Sequence, residues 1–270
     1  MPYGYPILDP NLQPKVPNGA CALAVMVKAP RLGDVKTRLV PPLTPAEAVA
    51  LSTCFLRDIS GNIAQLANAD GVHGFAAYTP VGEESAFDGV LPPGFGLLAQ
   101  RGADLGERLL HATEDLLRAG YQAACLINAD SPTLPSALLQ QAVNILRQPG
   151  DRVVLGEAED GGYYLIGLKR PHRRLFEEIR WSTEKVLSQT LERAAEIRLE
   201  TTLLPVWYDV DDVSSLRRLC AELFSARPAE PAEQARSYRA SHTRQYLGQL
   251  IRNGAGPRLG FSLSAAEQAV

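Results

Sequence analysis

The chain has 270 residues, with 27 Lys and Arg against 30 Asp and Glu, and a formal net charge of −3. That length can bury a large core as one α/β unit with a small appendage. The near-neutral balance excludes a general pull toward nucleic acid or anionic lipid, so a local basic cluster points to a small anionic ligand.

Cys21, Cys54, Cys125 and Cys220 are widely separated and form no C-x-x-C pair, so neither a zinc site nor a dithiol redox site is indicated. Four reduced thiols are the simpler expectation. The N-terminus lacks the charged region and apolar run of a signal peptide, and no apolar run approaches the roughly 18 residues of a transmembrane helix. These features predict a soluble, cytoplasmic protein without a transmembrane segment.

Residues 1–19 hold five prolines and two tyrosines with little periodicity, and read as a leader lying on the surface or disordered. A first strand follows over about 22–28. Pro30 ends it, and Gly33 permits a positive φ in the turn beyond. Lys28, Arg31, Lys36 and Arg38 crowd this stretch. Unpaired charges are not buried, and Arg forks with Lys point charges suit a polyphosphate. The alternative is an ordinary solvated basic loop.

Thr44-Pro45-Ala46-Glu47 is a capping box with proline at the first helical position. Ala48, Leu51, Phe55, Ile59, Ile63 and Leu66 recur at helical spacing beyond it, which predicts a helix over 45–67. Val72–Tyr78 reads as a second strand, and 79–99 as a short helix and loops. A helix over Asp104–Ala119, a strand over Ala123–Asn128 and a helix from Pro135 to before Pro149 follow. Val153–Leu155 and Tyr163–Leu168 read as strands separated by Gly156-Glu-Ala-Glu-Asp-Gly-Gly162. Thr183–Leu199 reads as a long helix, Thr202–Tyr208 as a strand, and another helix starts near Ser214. This alternation predicts a three-layer α/β/α domain over 20–226 with a mostly parallel sheet, whose ligand lies beyond the carboxyl ends of the strands. Residues 227–270 read as a helical extension and tail, with a helical candidate over Glu233–Leu250. Packing on the domain and assembly of a homo-oligomer are both open for this end.

Asp130 follows the Ala123–Asn128 strand in a turn fixed by Pro132; it can cap that turn or face the cationic stretch. Asp209 and Asp211 flank Val210 at another strand end, and Asp212 is placed to cap the next helix. Carboxylates from two strand ends beside a phosphate-binding turn suit Mg²⁺ or Mn²⁺, which combines protein carboxylates with phosphate oxygens and water. Glu159 and Asp160 precede a double glycine. Either can accept from a hydroxyl or act as a general base, while Gly161 and Gly162 permit close backbone approach or simply form a tight hairpin.

Lys28-Ala-Pro-Arg-Leu-Gly-Asp-Val-Lys-Thr-Arg-Leu39, Gly102-Ala-Asp-Leu-Gly-Glu-Arg108, Asn128-Ala-Asp-Ser-Pro132, Glu159-Asp-Gly-Gly-Tyr-Tyr-Leu-Ile-Gly167, Trp181-Ser-Thr183 and Tyr208-Asp-Val-Asp211 occur in this order. Together they resemble a bacterial glycosyltransferase-A-like (GT-A) family, the DUF2064 type, related to nucleotidyltransferases that make cofactor precursors. The resemblance covers roughly 22–220 and implies a nucleotide-diphospho-sugar transferase fold. It places Lys28, Arg31, Lys36, Arg38, Arg108, Gly161 and Gly162 at the nucleotide and sugar. Asp130, Asp209 and Asp211 fall at the metal. In an inverting course Asp160 is first and Glu159 second as the base, and a retaining course leaves that role empty. Two departures stand out: the first loop lacks paired glycines, and Asn128 stands where a D-x-D pair has its first aspartate.

The implied activity is sugar transfer from a nucleoside-diphosphate sugar to a small-molecule hydroxyl acceptor, assisted by Mg²⁺ or Mn²⁺, with no nucleic-acid partner. Nucleotidyl transfer with pyrophosphate release is the alternative. A non-catalytic nucleotide-binding or assembly module is the second alternative.

Overall fold

The structure is a computed structural model that describes residues 4–12, 16–67, 71–224 and 237–262. β1 (Cys21–Lys28) is buried along nearly its whole length, as a central strand must be. Its alternation feeds both faces of the sheet: Leu23, Val25 and Val27 enter one apolar cluster and Ala22 and Ala24 another. A single 3-10 turn, Thr37–Leu39, separates β1 from α1 (Pro45–Ala67). The capping box closes as expected: Thr44 N–H donates to Glu47 Oε2 at 2.8 Å, and Glu47 N–H to Thr44 Oγ1 at 3.3 Å.

β2 (Val72–Thr79) and β3 (Gly96–Ala99) come next, the latter within a stretch expected to form a short helix and loops. Four residues bounded by glycine and proline carry too little alternation to announce a strand. Over its described part the leader lies on the surface, the first of its two expected arrangements. Ile7 pairs in parallel with Leu97, and Leu8 N–H donates to Leu97 O at 2.7 Å, covering the β3 edge.

The remaining elements are α2 (Leu105–Arg118), β4 (Ala123–Asn128), α3 (Ser136–Arg147), β5 (Arg152–Ala158), β6 (Tyr163–Leu168), α4 (Val186–Glu196), β7 (Glu200–Trp207) and α5 (Val213–Phe224). The seven strands run in the order β3-β2-β1-β4-β6-β5-β7. Only β6 runs antiparallel to its neighbours β4 and β5. The carboxyl ends of β1, β4, β5 and β7 and the start of β6 therefore share one edge. α1 and α3 cover one face, and α2 and α4 the other. This is the α/β/α architecture expected, with a mostly parallel sheet. No helix among the described residues is long and apolar enough to cross a membrane. The four cysteines are unpaired, and Cys21, Cys125 and Cys220 are buried.

Residues 237–262 form α6 (Ser241–Leu250), a widened turn and the short α7 (Gly256–Leu259). Positions 233–236 of the expected helix lie outside the described residues. α6 and α7 pack with α5 against the outer side of α1, so the apolar stripe of α1 divides. Leu56, Ile59 and Ile63 face the sheet, while Ala48, Leu51 and Phe55 face Leu216, Leu219, Leu247 and Leu259. Tertiary packing alone makes that division.

Asp58 on α1, 1% exposed, fastens the extension. Its two oxygens accept from the backbone N–H groups of His242 at 3.1 Å and Thr243 at 2.8 Å, which otherwise lack intrahelical partners. Burial pushes the Asp58 carboxyl pKa up, against the opposing pull of the Thr243 and His242 donors. Asp58→Ala should lower unfolding stability by about 1–2 kcal/mol, the usual range for a lost cap. Urea unfolding measures this, with amide exchange in α6 rising ahead of the sheet. Unchanged exchange in α6 would mean that apolar packing alone holds the extension.

Candidate active site

The loops at the common strand edge enclose an open cleft of about 700 Å³. Its floor comes from Met26, Val27 and Lys28 at the end of β1 and from Asn128, Ala129 and Asp130 after β4. One wall is the turn carrying Asp34, Lys36, Thr37 and Arg38. The other is built from Asp160, Gly162, Tyr163 and the Trp181–Glu184 turn, and Asp209 and Asp211 close the end beyond β7.

Lys36 organises these loops. Its Nζ lies 2.7 Å from Asp130 Oδ1 and 2.9 Å from Asp211 Oδ1, and it donates to Val210 O at 2.7 Å. The backbone at Lys36 is left-handed, with φ 50°, an uncommon conformation for a long side chain that the surrounding contacts must hold in place. Burial by itself would lower the Lys36 pKa, but the charges of Asp130 and Asp211 prevail and the pKa is raised. The Val210 N–H in turn donates to Asp130 O at 2.9 Å. Loops after β1, β4 and β7 are thus tied through one ammonium and one peptide unit.

The expected cations divide into two groups. Lys28 and Arg38 are exposed, line the cleft and have no ion-pair partner among the described residues. Lys36 is the internal counter-ion just described. Its side chain is 6% exposed and satisfied by protein groups, so in this structure its charge is directed at Asp130 and Asp211 and not at the open cleft. Arg31 points away and pairs with Glu83 in the loop after β2. Arg108 is absent from the cleft lining, and its Nε donates to Gly102 O at 3.3 Å.

The motif around Arg108 has a structural role in the fold. Asp104 accepts from Glu107 N–H at 2.9 Å, and Glu107 accepts from Ala103 N–H at 2.7 Å, a reciprocal cap on α2. Gly106 then leaves room for the Trp181 indole, which a Cβ would approach to 2.9 Å. Trp181 both joins the core on that face and lines the cleft.

The carboxylates also divide. Asp130, Asp160, Asp209 and Asp211 all line the cleft, whereas Glu159 is absent from the lining and pairs with Arg218 at 2.6 Å. That ion pair removes Glu159 from the set facing the cleft. Asp160 Oδ1 accepts from Gly162 N–H at 2.8 Å, which fixes its turn. Gly162 borders the cleft. Gly161, at φ 86°, instead packs against the Glu184 backbone, where a Cβ would come within 2.3 Å of the carbonyl oxygen. Its own carbonyl accepts from Leu187 N–H at 2.9 Å. The turn therefore starts α4 at Val186, three residues later than expected. Asp212 caps α5 through Ser215 N–H at 2.7 Å, as its position predicted.

Asp209 carries the electrostatic strain of the cluster. Burial first, then the charges of Asp211, Asp160 and Asp130, raise its pKa to about 6. Four aspartates converge where Lys36 is the only cation paired with them among the described residues. A hard divalent ion fits this surplus of oxygen ligands and charge. No three acidic, histidine or cysteine side chains among the described residues form a closed cage. An ion here would be held by one or two carboxylates, with phosphate and water completing its shell.

Asp34 and Thr37 were not singled out from the sequence, although both lie in the cationic turn and both line the cleft. Their signal was proximity to Lys36. Asn128 Oδ1 is buried with no protein partner, at the position where a first D-x-D aspartate would stand.

This edge of polar loops on an α/β/α sheet has the form of the nucleotide-diphospho-sugar transferase fold. Residues 62–183 match the family DUF2064, described as an uncharacterized protein conserved in bacteria. A solved structure described as a candidate nucleotide-diphospho-sugar transferase from Desulfovibrio desulfuricans G20 is 32% identical. The match covers 84% of this chain and 97% of that one, with a TM-score of 0.68. The chain belongs to this bacterial DUF2064 family.

CMP:2-keto-3-deoxy-manno-octonic acid synthetase complexed with CTP is 12% identical over 75% of this chain and 98% of that one, with a TM-score of 0.49. The inositol-1-phosphate CTP transferase of T. maritima is 14% identical over 76% and 95%, with a TM-score of 0.46. Both likenesses are too slight to inform the chemistry of this cleft. No curated protein matches the chain.

The raised Asp209 pKa gives a signed prediction. Between about 4, the ordinary unfolded value, and about 6, the folded protein holds a proton that the unfolded chain has released. Stability from this group therefore rises as pH falls through that window and is lost above it. In chelator, Asp209→Asn should stabilise the protein at pH 8 by on the order of 1–2 kcal/mol, after discounting for solvent screening. The gain should close below about pH 4. Denaturant unfolding of both proteins across pH measures the gap. A pH-independent difference would show that Asp209 is not strained by its neighbours.

Proposed function

We propose that the protein is a glycosyltransferase that takes a nucleoside-diphosphate sugar as donor and passes the sugar to a hydroxyl acceptor, with Mg²⁺ or Mn²⁺ bound. The observation that supports this most directly is the pairing of Lys28 and Arg38, without ion-pair partners among the described residues, with Asp130, Asp160, Asp209 and Asp211 across one cleft. A diphosphate needs the first set. A divalent ion that bridges protein and phosphate needs the second.

In this reading Lys28 and Arg38 hold the diphosphate oxygens. Asp130 and Asp211 would hold the ion, with Asp209 beside them. When bound, the ion compensates the negative charge that develops on the departing nucleoside diphosphate. Asp160, fixed by the Gly162 N–H on the opposite wall, accepts the proton of the acceptor hydroxyl as that oxygen attacks the sugar carbon. This is an inverting course. Trp181 and Gly162 flank the acceptor side, and the indole offers an apolar face to a sugar ring.

Incubation with a panel of nucleotide sugars and nucleoside triphosphates, with Mg²⁺ or Mn²⁺ and cell extract as acceptor source, tests the reading by mass spectrometry. Free nucleoside diphosphate with a glycosylated product is expected. Pyrophosphate release would replace this reading with nucleotidyl transfer, and ligand binding without turnover would point to a non-catalytic module.

The variants should sort by position. Lys28→Ala and Arg38→Ala should each weaken nucleotide binding by about ten- to a hundredfold, the scale of a lost charge-assisted hydrogen bond. Arg31→Ala should leave it unchanged, because its partner is Glu83 outside the cleft. Calorimetry separates the three; equal losses in all would return Arg31 to the site. Asp160→Asn should keep nucleotide affinity while turnover falls by roughly 10²–10⁴, as expected for a lost general base. Steady-state kinetics beside a binding isotherm would expose a binding role instead.

A further inference from the structure

Two of the carboxylates expected at a divalent ion, Asp130 and Asp211, are already held by Lys36. The ammonium donates to Val210 O at 2.7 Å and Asp211 Oδ1 at 2.9 Å, and lies 2.7 Å from Asp130 Oδ1 as an ion pair. The Phe55 ring lies behind it, 5.4 Å from Nζ to the centroid. The lysine side chain is 6% exposed, while Asp130 and Asp211 are 37% and 42% exposed. The carboxylates thus open to the cleft on one side and grip the ammonium on the other.

We propose that Lys36 occupies the seat of the divalent cation between Asp130 and Asp211, so that the ion binds there only together with a nucleoside diphosphate that draws the ammonium onto its phosphates. The inference rests on the reading of the cleft as a nucleotide-diphosphate site.

Two cations a few ångströms apart in a half-buried site repel each other, so entry of the ion requires the ammonium to move. An ammonium cannot be left buried without a partner. Its present partners are the two aspartates and one carbonyl. Across the cleft wall, Lys28 and Arg38 mark where a diphosphate would lie, and Lys36 shares their turn. A diphosphate supplies the missing anion, and the lysine exchanges a carboxylate pair for phosphate oxygens as the ion takes its place. Lys36 is thus a positioning residue that couples two ligands. Bare metal is rejected, and the metal-nucleotide complex is admitted as a unit.

The test titrates Mn²⁺, followed by electron paramagnetic resonance of the free ion, into wild-type protein, Lys36→Met and Lys36→Gln. Each is titrated alone and with ADP, UDP, GDP or CDP. Wild-type protein should bind Mn²⁺ without nucleotide at least tenfold more weakly than Lys36→Met or Lys36→Gln, and a bound diphosphate should tighten Mn²⁺ by a larger factor in the wild type than in either variant. Equal nucleotide-free affinity in wild type and variants would overturn the proposal.

Near-ultraviolet circular dichroism establishes that each variant is folded. If loss of the ammonium prevents folding, the double variant Lys36→Met, Asp209→Asn removes one charge of each sign while keeping both Asp130 and Asp211, and its nucleotide-free Mn²⁺ affinity is compared with that of Asp209→Asn. A tenfold gain on removing the lysine supports the seat, and no gain overturns it. The nucleotide-free arm does not depend on the donor. A gain there with no diphosphate bound by the wild type would uphold the seat and sink the donor reading instead.

Discussion

The ion cluster of Lys36 with Asp130 and Asp211 is the constraint on which the geometry of the cleft depends. Like-charged carboxylates on two different loops would separate if left alone, and a buried ammonium would be untenable without them. Each solves the other's problem. The cost of bringing them together is met by the sheet, which delivers the ends of β1, β4 and β7 to one edge before any side chain is placed. The peptide of Val210 completes the link, since its carbonyl accepts from Lys36 and its N–H donates to Asp130 O.

That cluster is supported from below by the part of the chain farthest away in sequence. Leu39 and Val210, close to Lys36 along the chain and in the cluster respectively, sit in the same apolar group as Leu247, Ile251 and Leu259. Asp58 anchors α6 over α1 by satisfying two backbone donors. Residues 237–262 consequently buttress the Lys36 turn and the loop after β7 through α1 and α5. A change in their packing would reach the site through Leu39 and Val210.

Several residues in the conspicuous motifs turn out to be architectural. Glu107 and Asp104 cap α2, Gly106 seats Trp181, and Gly161 admits the Glu184 backbone. These residues shape the Trp181 side of the cleft without lining it themselves. Glu159 and Arg31 are drawn off into ion pairs with Arg218 and Glu83. What remains facing the cleft is a smaller and more polarised set, with Lys28 and Arg38, without ion-pair partners among the described residues, on one side and an excess of aspartates on the other. Asp209, whose pKa is raised to about 6 by burial and three acidic neighbours, registers that excess.

The sequence by itself determined the layered α/β fold, the span of α1, β4 and β6, the caps at Thr44 and Asp212, and the gathering of charge at strand ends. Those follow from local periodicity, capping chemistry and the alternation of strands with helices, all short-range along the chain. Only the tertiary structure decided which charges are spent on each other. Lys36 lies 94 and 175 residues from its two partners, and no local pattern distinguishes it from Lys28 or Arg38. The same holds for Glu159 beside Asp160: adjacent residues in a turn diverge, and Arg218 on α5 takes one of them. Charge pairing is set by distance in space, which the chain defines only once the sheet has closed the gap.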